Sequence, residues 1–433
     1  MLRITIKDTD KDYLLNISKK LFLLLVLLIP LNLGKHFITS NTYVWGVLVD
    51  YLIPTIYIQD ILVLVIVILW ILSGCVKRVS WKKILTRREI QFSLLFTLST
   101  LFSVLSASRL VPSMYFWIRL FLYFLIFIYT FTEIKVEDYF FEILDAISLS
   151  VLLVSVIGIL QYLNKGSIFN NYLFLGEQPY SASTWGIAKE SLLGNVVVPS
   201  YGLFRHPNTF GGFLALSLIL IFSFIKKRKF YVYSFIFGLV ALFCTFSYSS
   251  WLAFVFGLII HLFLLVPSSH YKHFNDHKKK IKVLLITSLF SLAMLIIPLF
   301  PRISKSINPS LYRRSNLLIS SYKIFKEYPL FGVGLNNLTI FIDRCVPESR
   351  DIRFTQPVHN IFALIAAETG IFSFILFLLF LFFVSKRLVN SSYFHVFLIS
   401  FAQILVLGSL DHYFLTIHQT LLMFWIILGL SIQ

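Results

Sequence analysis

The stretch PVHNIFALIAAETGIFSFILFLLFLFFVSKR, residues 357–387, decides the fold class. A polar entrance containing Pro357, His359 and Asn360 opens onto an apolar run that ends at the basic Lys386 and Arg387. A helix needs roughly 20 apolar residues to cross a hydrocarbon core about 30 Å thick, and this run is long enough. Glu368 is the one ionisable side chain inside it. Similar runs recur near residues 18–33, 56–74, 90–107, 114–132, 141–163, 208–225, 230–246, 249–266, 282–300, 360–384, 393–410 and 412–432. These spacings predict an all-α polytopic membrane protein of about 12 transmembrane helices, with residues 1–433 forming a single integral membrane domain. The first run is the shortest and follows Lys19 and Lys20. No small-residue cleavage site comes after it, so it reads as a retained helix rather than a signal peptide.

Composition agrees. Apolar residues make up 58% of the 433, Phe alone supplies 46 and charged residues only 13%. Mean hydropathy is +0.84, far from the averages of soluble domains.

Basic residues give the orientation, because short loops rich in Lys and Arg stay on the cytoplasmic side. The N-terminal Arg3, Lys7, Lys11, Lys19 and Lys20, the segment CVKRVSWKKILTRRE at 75–89, KKRK at 226–229, YKHFNDHKKKIK at 271–282 and SKR at 385–387 share one side when the spans alternate. Both termini are then cytoplasmic, in a multi-pass cytoplasmic (inner) membrane protein. The net charge of +18 follows from this topology and suits anionic lipid headgroups of the bilayer, not nucleic acid.

The same alternation puts two long loops outside, 164–207 and 301–358. Within the second, residues 311–327 intersperse Arg313, Arg314, Lys323 and Lys326 among apolar positions, the pattern of an amphipathic helix on the outer surface. Cys75, Cys244 and Cys345 have neither disulfide nor zinc spacing. GVGLNN at 332–337 lacks the strand and the Lys-Ser/Thr ending of a nucleotide loop.

Chemistry-bearing residues gather at the outer ends of the spans: Arg205 and His206 before the sixth, Arg313 and Arg314 in the second loop, His359 before the tenth, and Asp411 and His412 between the last two. Alone, Arg205 and His206 read equally well as headgroup anchors, and the loop arginines as contacts to lipid phosphate. Glu368 is nine residues beyond His359, about 180° around a helix, so the two do not meet directly. A carboxylate there is either functional or a structural hydrogen-bond partner. His359 has the strongest case, since the positive end of the following helix disfavours its proton and a neutral imidazole is what a general base requires.

Here the residues resemble a family. HNIFALIAAETG, residues 359–370, is similar to the histidine-asparagine, nine-residue gap, glycine signature of the bacterial O-antigen ligase and O-antigen polymerase superfamily of polyprenyl-diphosphate-dependent membrane glycan transferases. EYPLFGVGLNN at 327–337 resembles the segment that precedes it there, and Arg314 stands where that family places an arginine. FRHPNTFGG at 204–212 and LDHYFLTIHQTLLMFW at 410–425 add to the likeness, which is strongest over 200–432. Two positions depart from the pattern. Ser373 replaces a glycine, and Tyr248 stands between Ser247 and Ser249 where the family has a serine-arginine pair, leaving that cation absent or supplied by Arg205 or Arg109.

The resemblance implies an O-antigen ligase-like glycosyltransferase. It would move a glycan from an undecaprenyl-diphosphate carrier to a hydroxyl of a glycan, lipid or protein acceptor on the outer, periplasmic face. It implies His359 as inverting general base and Arg314, Arg205 and Arg313 as a diphosphate clamp, with Asn360, Asp411, His206 and Glu368 in support, and no cofactor or metal. An O-antigen polymerase would share this chemistry. A polysaccharide or lipid transporter, the alternative of another class, would hold its charges near the midplane between related halves, and no such halves are evident.

Overall fold

The computed structural model describes residues 8–78, 80–192, 194–265, 309–342 and 354–433, with isolated helical positions at 282, 285, 286 and 289. The rest of the predicted ninth run and of the basic segment 271–282, together with Arg3, Lys7, Cys345 and parts 301–308 and 343–353 of the second loop, lies outside the described residues.

The long helices are α1 (Asp8–Leu27), α2 (Ile58–Leu72), α3 (Arg88–Leu105), α4 (Leu110–Glu133), α5 (Val136–Asn164), α6 (Pro207–Ser223), α7 (Lys229–Cys244), α8 (Tyr248–Leu265), α9 (Pro309–Glu327), α10 (Ile361–Leu388), α11 (Phe394–Leu410) and α12 (His418–Ser431). Apart from α9, each falls on one of the predicted apolar runs. Among the described residues, α4, α5 and α10 are long and apolar enough to cross a membrane, and α2, α6, α7, α8, α11 and α12 are shorter apolar helices. The first helix starts ten residues before its apolar run and stops at Leu27, ahead of Pro30, a residue that cannot continue a helix. The predicted amphipathic segment 311–327 is helical as α9, which packs on α10 through its buried Leu317, Leu318 and Ile324.

Lipid gives helices little hydrophobic reason to associate, so close packing and polar ties matter more. Gln59 Nε2 donates to the carbonyls of Leu28 and Leu31, at 2.8 and 2.7 Å, joining α2 to the end of α1. Gln403 Nε2 bridges the carbonyls of Ala215 and Ala253, both at 3.0 Å, and so ties α11 to α6 and α8. Gln419 Nε2 reaches the carbonyls of Pro30 and Leu203. Gly212 lets α6 approach Tyr413, since a Cβ there would sit 2.3 Å from the phenol oxygen.

The opening stretch is not one straight helix. Gly370, at φ 75° and ψ −177°, interrupts α10, and the turn after α9 enters the break. Val333 N donates to Ala367 O at 3.1 Å, Gly334 N to Glu368 O at 3.0 Å, and Ile371 N to Pro329 O at 2.8 Å. Such a break needs positive φ and room for the crossing strand. A Cβ on Gly370 would lie 2.1 Å from Leu330 O, and one on Gly332 would lie 2.3 Å from Glu368 O.

The connections between α1 and α2 and between α5 and α6 carry short antiparallel pairs that apolar periodicity did not reveal. β1 (Gly34–His36) pairs with β4 (Thr55–Tyr57), β2 (Tyr43–Val44) with β3 (Val47–Leu48), and β5 (Glu190–Leu192) with β6 (Asn195–Val197). Between α5 and α6, the buried Glu177 accepts from Gln161 Nε2 and from the backbone N–H groups of Ile168 and Phe169, at 2.7, 2.8 and 2.6 Å.

Candidate active site

Three helix ends converge. At the start of α6, His206 is the N-cap and its Nδ1 accepts from Asn208 N at 3.1 Å, with Pro207 in the first turn. Asn208 Nδ2 then donates to Asp411 Oδ2 at 2.9 Å. Asp411 closes α11 in extended conformation, and its Oδ1 accepts from His412 N at 2.8 Å. At the start of α10, Asn360 Oδ1 caps Ala363 N and its Nδ2 donates to Ser409 O, both at 2.9 Å. Asn360 thus clamps the head of α10 to the tail of α11 and fixes where His359 stands.

The result is a compact cluster outside the helical spans. The rings of His359 and His412 lie 5.0 Å apart, and Asp411 Oδ1 is 3.8 Å from His412 Nε2. His412 Nδ1 is 2.6 Å from Thr416 Oγ1. Asp411 and His412 are buried, His359 is partly buried and His206 is exposed. His359 Nδ1 is itself enclosed and has no hydrogen-bond partner among the described residues.

Electrostatics separates the groups. Burial first, then Arg314, His412 and His206, hold His359 well below its ordinary value, against the pull of Asp411. The direction is the one expected from its place before a helix, but burial is the larger cause. His412 is pushed down to about 4, mainly by burial. Burial pushes Asp411 upward, but His359, His412, Arg314 and His206 outweigh it and bring the carboxyl below its usual range. The site therefore presents a carboxylate beside two neutral imidazoles, with the positive charge of Arg314 acting on all three. Arg313 precedes Arg314 on α9 and is partly buried, and the field that reaches His359 comes from Arg314.

One ring nitrogen from each of His359 and His412 and one Asp411 oxygen lie within 4.8 Å of one another, a donor set that suits a transition metal. Arg314 acts on the same three groups, and its fixed positive charge opposes a second cation.

Arg205 belongs to a second cluster. It donates to the Tyr57 hydroxyl, its Nη2 is 3.3 Å from His36 Nε2, and its guanidinium lies 5.8 Å from the centre of the Tyr57 ring. Tyr51 stands between the clusters: its ring meets His412 edge-on at 5.4 Å, and the charges of Asp411 and Arg205 both act on its phenol. Beside Arg205, Arg119 is buried and forked onto Asp60, Nε to Oδ1 at 3.1 Å and Nη2 to Oδ2 at 2.7 Å, with Tyr123 also donating to Oδ1. Sequence reasoning passed over Arg119 and Asp60, although an arginine amid YFWIRLFLYF was signal enough.

Glu368 joins neither cluster. Its Oε2 accepts from Asn336 N at 2.9 Å and its Oε1 from Leu338 N at 3.1 Å, so it holds the GVGLNN turn against the break in α10. Asn336 Nδ2 in turn donates to Tyr51 O at 2.9 Å.

No curated protein matches the chain. Residues 233–378 match the family model described as O-antigen ligase. The matched segment contains Arg313, Arg314, His359, Asn360 and Glu368, while Arg205, His206 and Asp411 lie on either side of it. Over that segment, from α7 into α10, the chain is therefore similar to the O-antigen ligase family.

Proposed function

We propose that the protein transfers a glycan from a polyprenyl-diphosphate carrier to an acceptor hydroxyl at the outer face of the cytoplasmic membrane, with His359 as general base. The observation that supports this most is the meeting of His359, Asp411 and His412 at helix ends from distant parts of the chain, with the charge of Arg314 acting on all three. The acceptor O–H gives its proton to the neutral imidazole as its oxygen bonds to the anomeric carbon. The bond from that carbon to the diphosphate oxygen breaks, and the diphosphate leaves with the electron pair. Arg314, with Arg313 behind it, offsets the charge on the leaving group. Attack opposite the leaving group inverts the anomeric centre. Asp411 stabilises the imidazolium as it forms, and Asn208 and Asn360 hold Asp411 and His359 in register. The reaction uses no redox chemistry and requires no metal ion.

Purified protein in lipid vesicles, supplied with a lipid-diphosphate glycan and candidate acceptors, tests the reading by mass spectrometry of the products. The expected result is an acceptor that gains the complete glycan, with release of the lipid diphosphate. Growth of the chain on its carrier would instead identify a polymerase, and the absence of transfer to any acceptor would overturn the proposal.

A further inference from the structure

Tyr51 lies between the reactive cluster and the GVGLNN turn and touches both. It sits in a single 3₁₀ turn, Asp50–Leu52, between β3 and β4. Val44, Val49 and Leu52 form a small buried apolar cluster against which Tyr51 and Ile340 pack. The 3₁₀ turn therefore rests on the short helix Leu338–Phe341 that follows GVGLNN. The backbone ties it there as well, since Asn336 Nδ2 donates to Tyr51 O at 2.9 Å. Asn336 is itself fixed. It is buried at φ 57°, a left-handed conformation that asparagine adopts more readily than most side chains, and Glu368 Oε2 accepts from its backbone N–H. The neighbouring Asn337 Oδ1 accepts from Arg109 N at 2.8 Å, which secures the turn to the start of α4. A residue held at an unusual φ and bonded through both backbone and side chain is over-determined by its surroundings.

From this anchorage the Tyr51 side chain reaches the cluster. Its ring stands edge-on to His412, with centres 5.4 Å apart and planes at 83°, and the His412 ring lies 5.0 Å from that of His359. Thr416 Oγ1, 2.6 Å from His412 Nδ1, restrains the imidazole from another direction. The Tyr51 hydroxyl makes no hydrogen bond among the described residues, so the bulk of the ring is what it offers the cluster. Without that ring His412 can turn into the vacated space and leave His359 without its neighbour.

We infer that Tyr51 is a positioning residue for the transfer reaction: its ring walls His412 against His359, and Asn336 anchors it to the turn that enters the break in α10. This rests on the transfer reading above and deepens it. Tyr51 acts through His412 and takes no part in making or breaking bonds.

The first arm of the test is the vesicle assay. Tyr51→Ala should lower kcat on the order of 10- to 100-fold, the scale of a small misplacement of reacting groups, and leave KM close to that of wild type. Tyr51→Phe, which keeps the ring, should restore the rate. Asn336→Gly accommodates the positive φ and keeps the N–H that Glu368 accepts, but loses the amide that holds Tyr51. It should cost less than Tyr51→Ala, and the double variant should be no slower than Tyr51→Ala alone, because the two residues act in series. A Tyr51→Phe variant as slow as Tyr51→Ala, or a raised KM at unchanged kcat, would overturn the inference. The second arm needs no turnover. Diethyl pyrocarbonate acylates neutral imidazole, and mass spectrometry locates the modified rings. His412 should react faster in Tyr51→Ala than in wild type or Tyr51→Phe, while His418, equally buried but stacked on Tyr57, should not change. That pattern supports the inference even if no transfer is observed. Equal reactivity of His412 in all three proteins, or faster reaction of both histidines, overturns it.

Discussion

The two polar clusters on either side of Tyr51 are built from similar parts and balanced differently. Around His359 a single carboxylate acts on the imidazoles and Arg314 while its own hydrogen bonds come from Asn208 and the His412 backbone, and His359 Nδ1 has no partner among the described residues. Around Arg119, Asp60 is fully engaged: two guanidinium nitrogens, the Tyr123 hydroxyl and Tyr57 N all donate to it. A closed pair is a fixture, while an unclosed set can change its proton inventory during a reaction. Burial alone does not distinguish them, since Asp411 and Arg119 are both buried.

The largest effect that could break this contrast comes from His359→Ala. Transfer should fall by about 10²- to 10⁴-fold in the vesicle assay while expression and insertion persist, and retained activity would remove His359 as the base. Next, Arg314→Gln should cost about 100-fold and also change the pH profile. Arg314 is one of the influences that lower the His359 value, so its removal should move the acidic limb of kcat/KM upward; in wild type the limb lies below pH 6.5. Asp411→Asn removes the one group raising that value and should shift the limb further down. Limbs that moved together in the two variants would contradict the assignment of opposite influences.

A smaller effect sharpens the contrast from the structural side. Glu368→Gln puts an amide where a carboxylate accepts two backbone N–H groups, and should destabilise the protein by about 1–3 kcal/mol. The residual activity should keep its acidic limb in place. A displaced limb would bring Glu368 into the reactive cluster. Treatment with a chelator should leave transfer unchanged, and loss restored by a divalent cation would reassign His359, Asp411 and His412 as ligands.

The sequence made the helices legible because apolar run length is a local property. Pro207, His206 and Asn360 announced the starts of α6 and α10 through ordinary capping chemistry. His359, Asp411 and Arg314 could be suspected together because the predicted alternation of spans puts all three on one face. Partners were not legible: that Asn208 holds Asp411, 203 positions away, depends on which helices pack side by side. For the same reason Arg205 was grouped with Arg314, although it faces Tyr57 and His36. The break at Gly370 was not legible in the run, although Glu368, Thr369 and Gly370 interrupt its apolar character, because its cause is a turn contributed from residues 329–334.

That break also constrains how the chain is made. A continuous helix can enter a bilayer with its backbone groups already paired, whereas an interrupted one cannot. The atoms that complete α10 at Gly334, Val333 and Pro329 precede it in the chain, so they are already synthesised when Ile371 leaves the ribosome. The turn at 329–334 must therefore meet the break for these backbone groups to be paired, and Gly370→Ala should reduce the yield of inserted protein before any effect on chemistry can be measured.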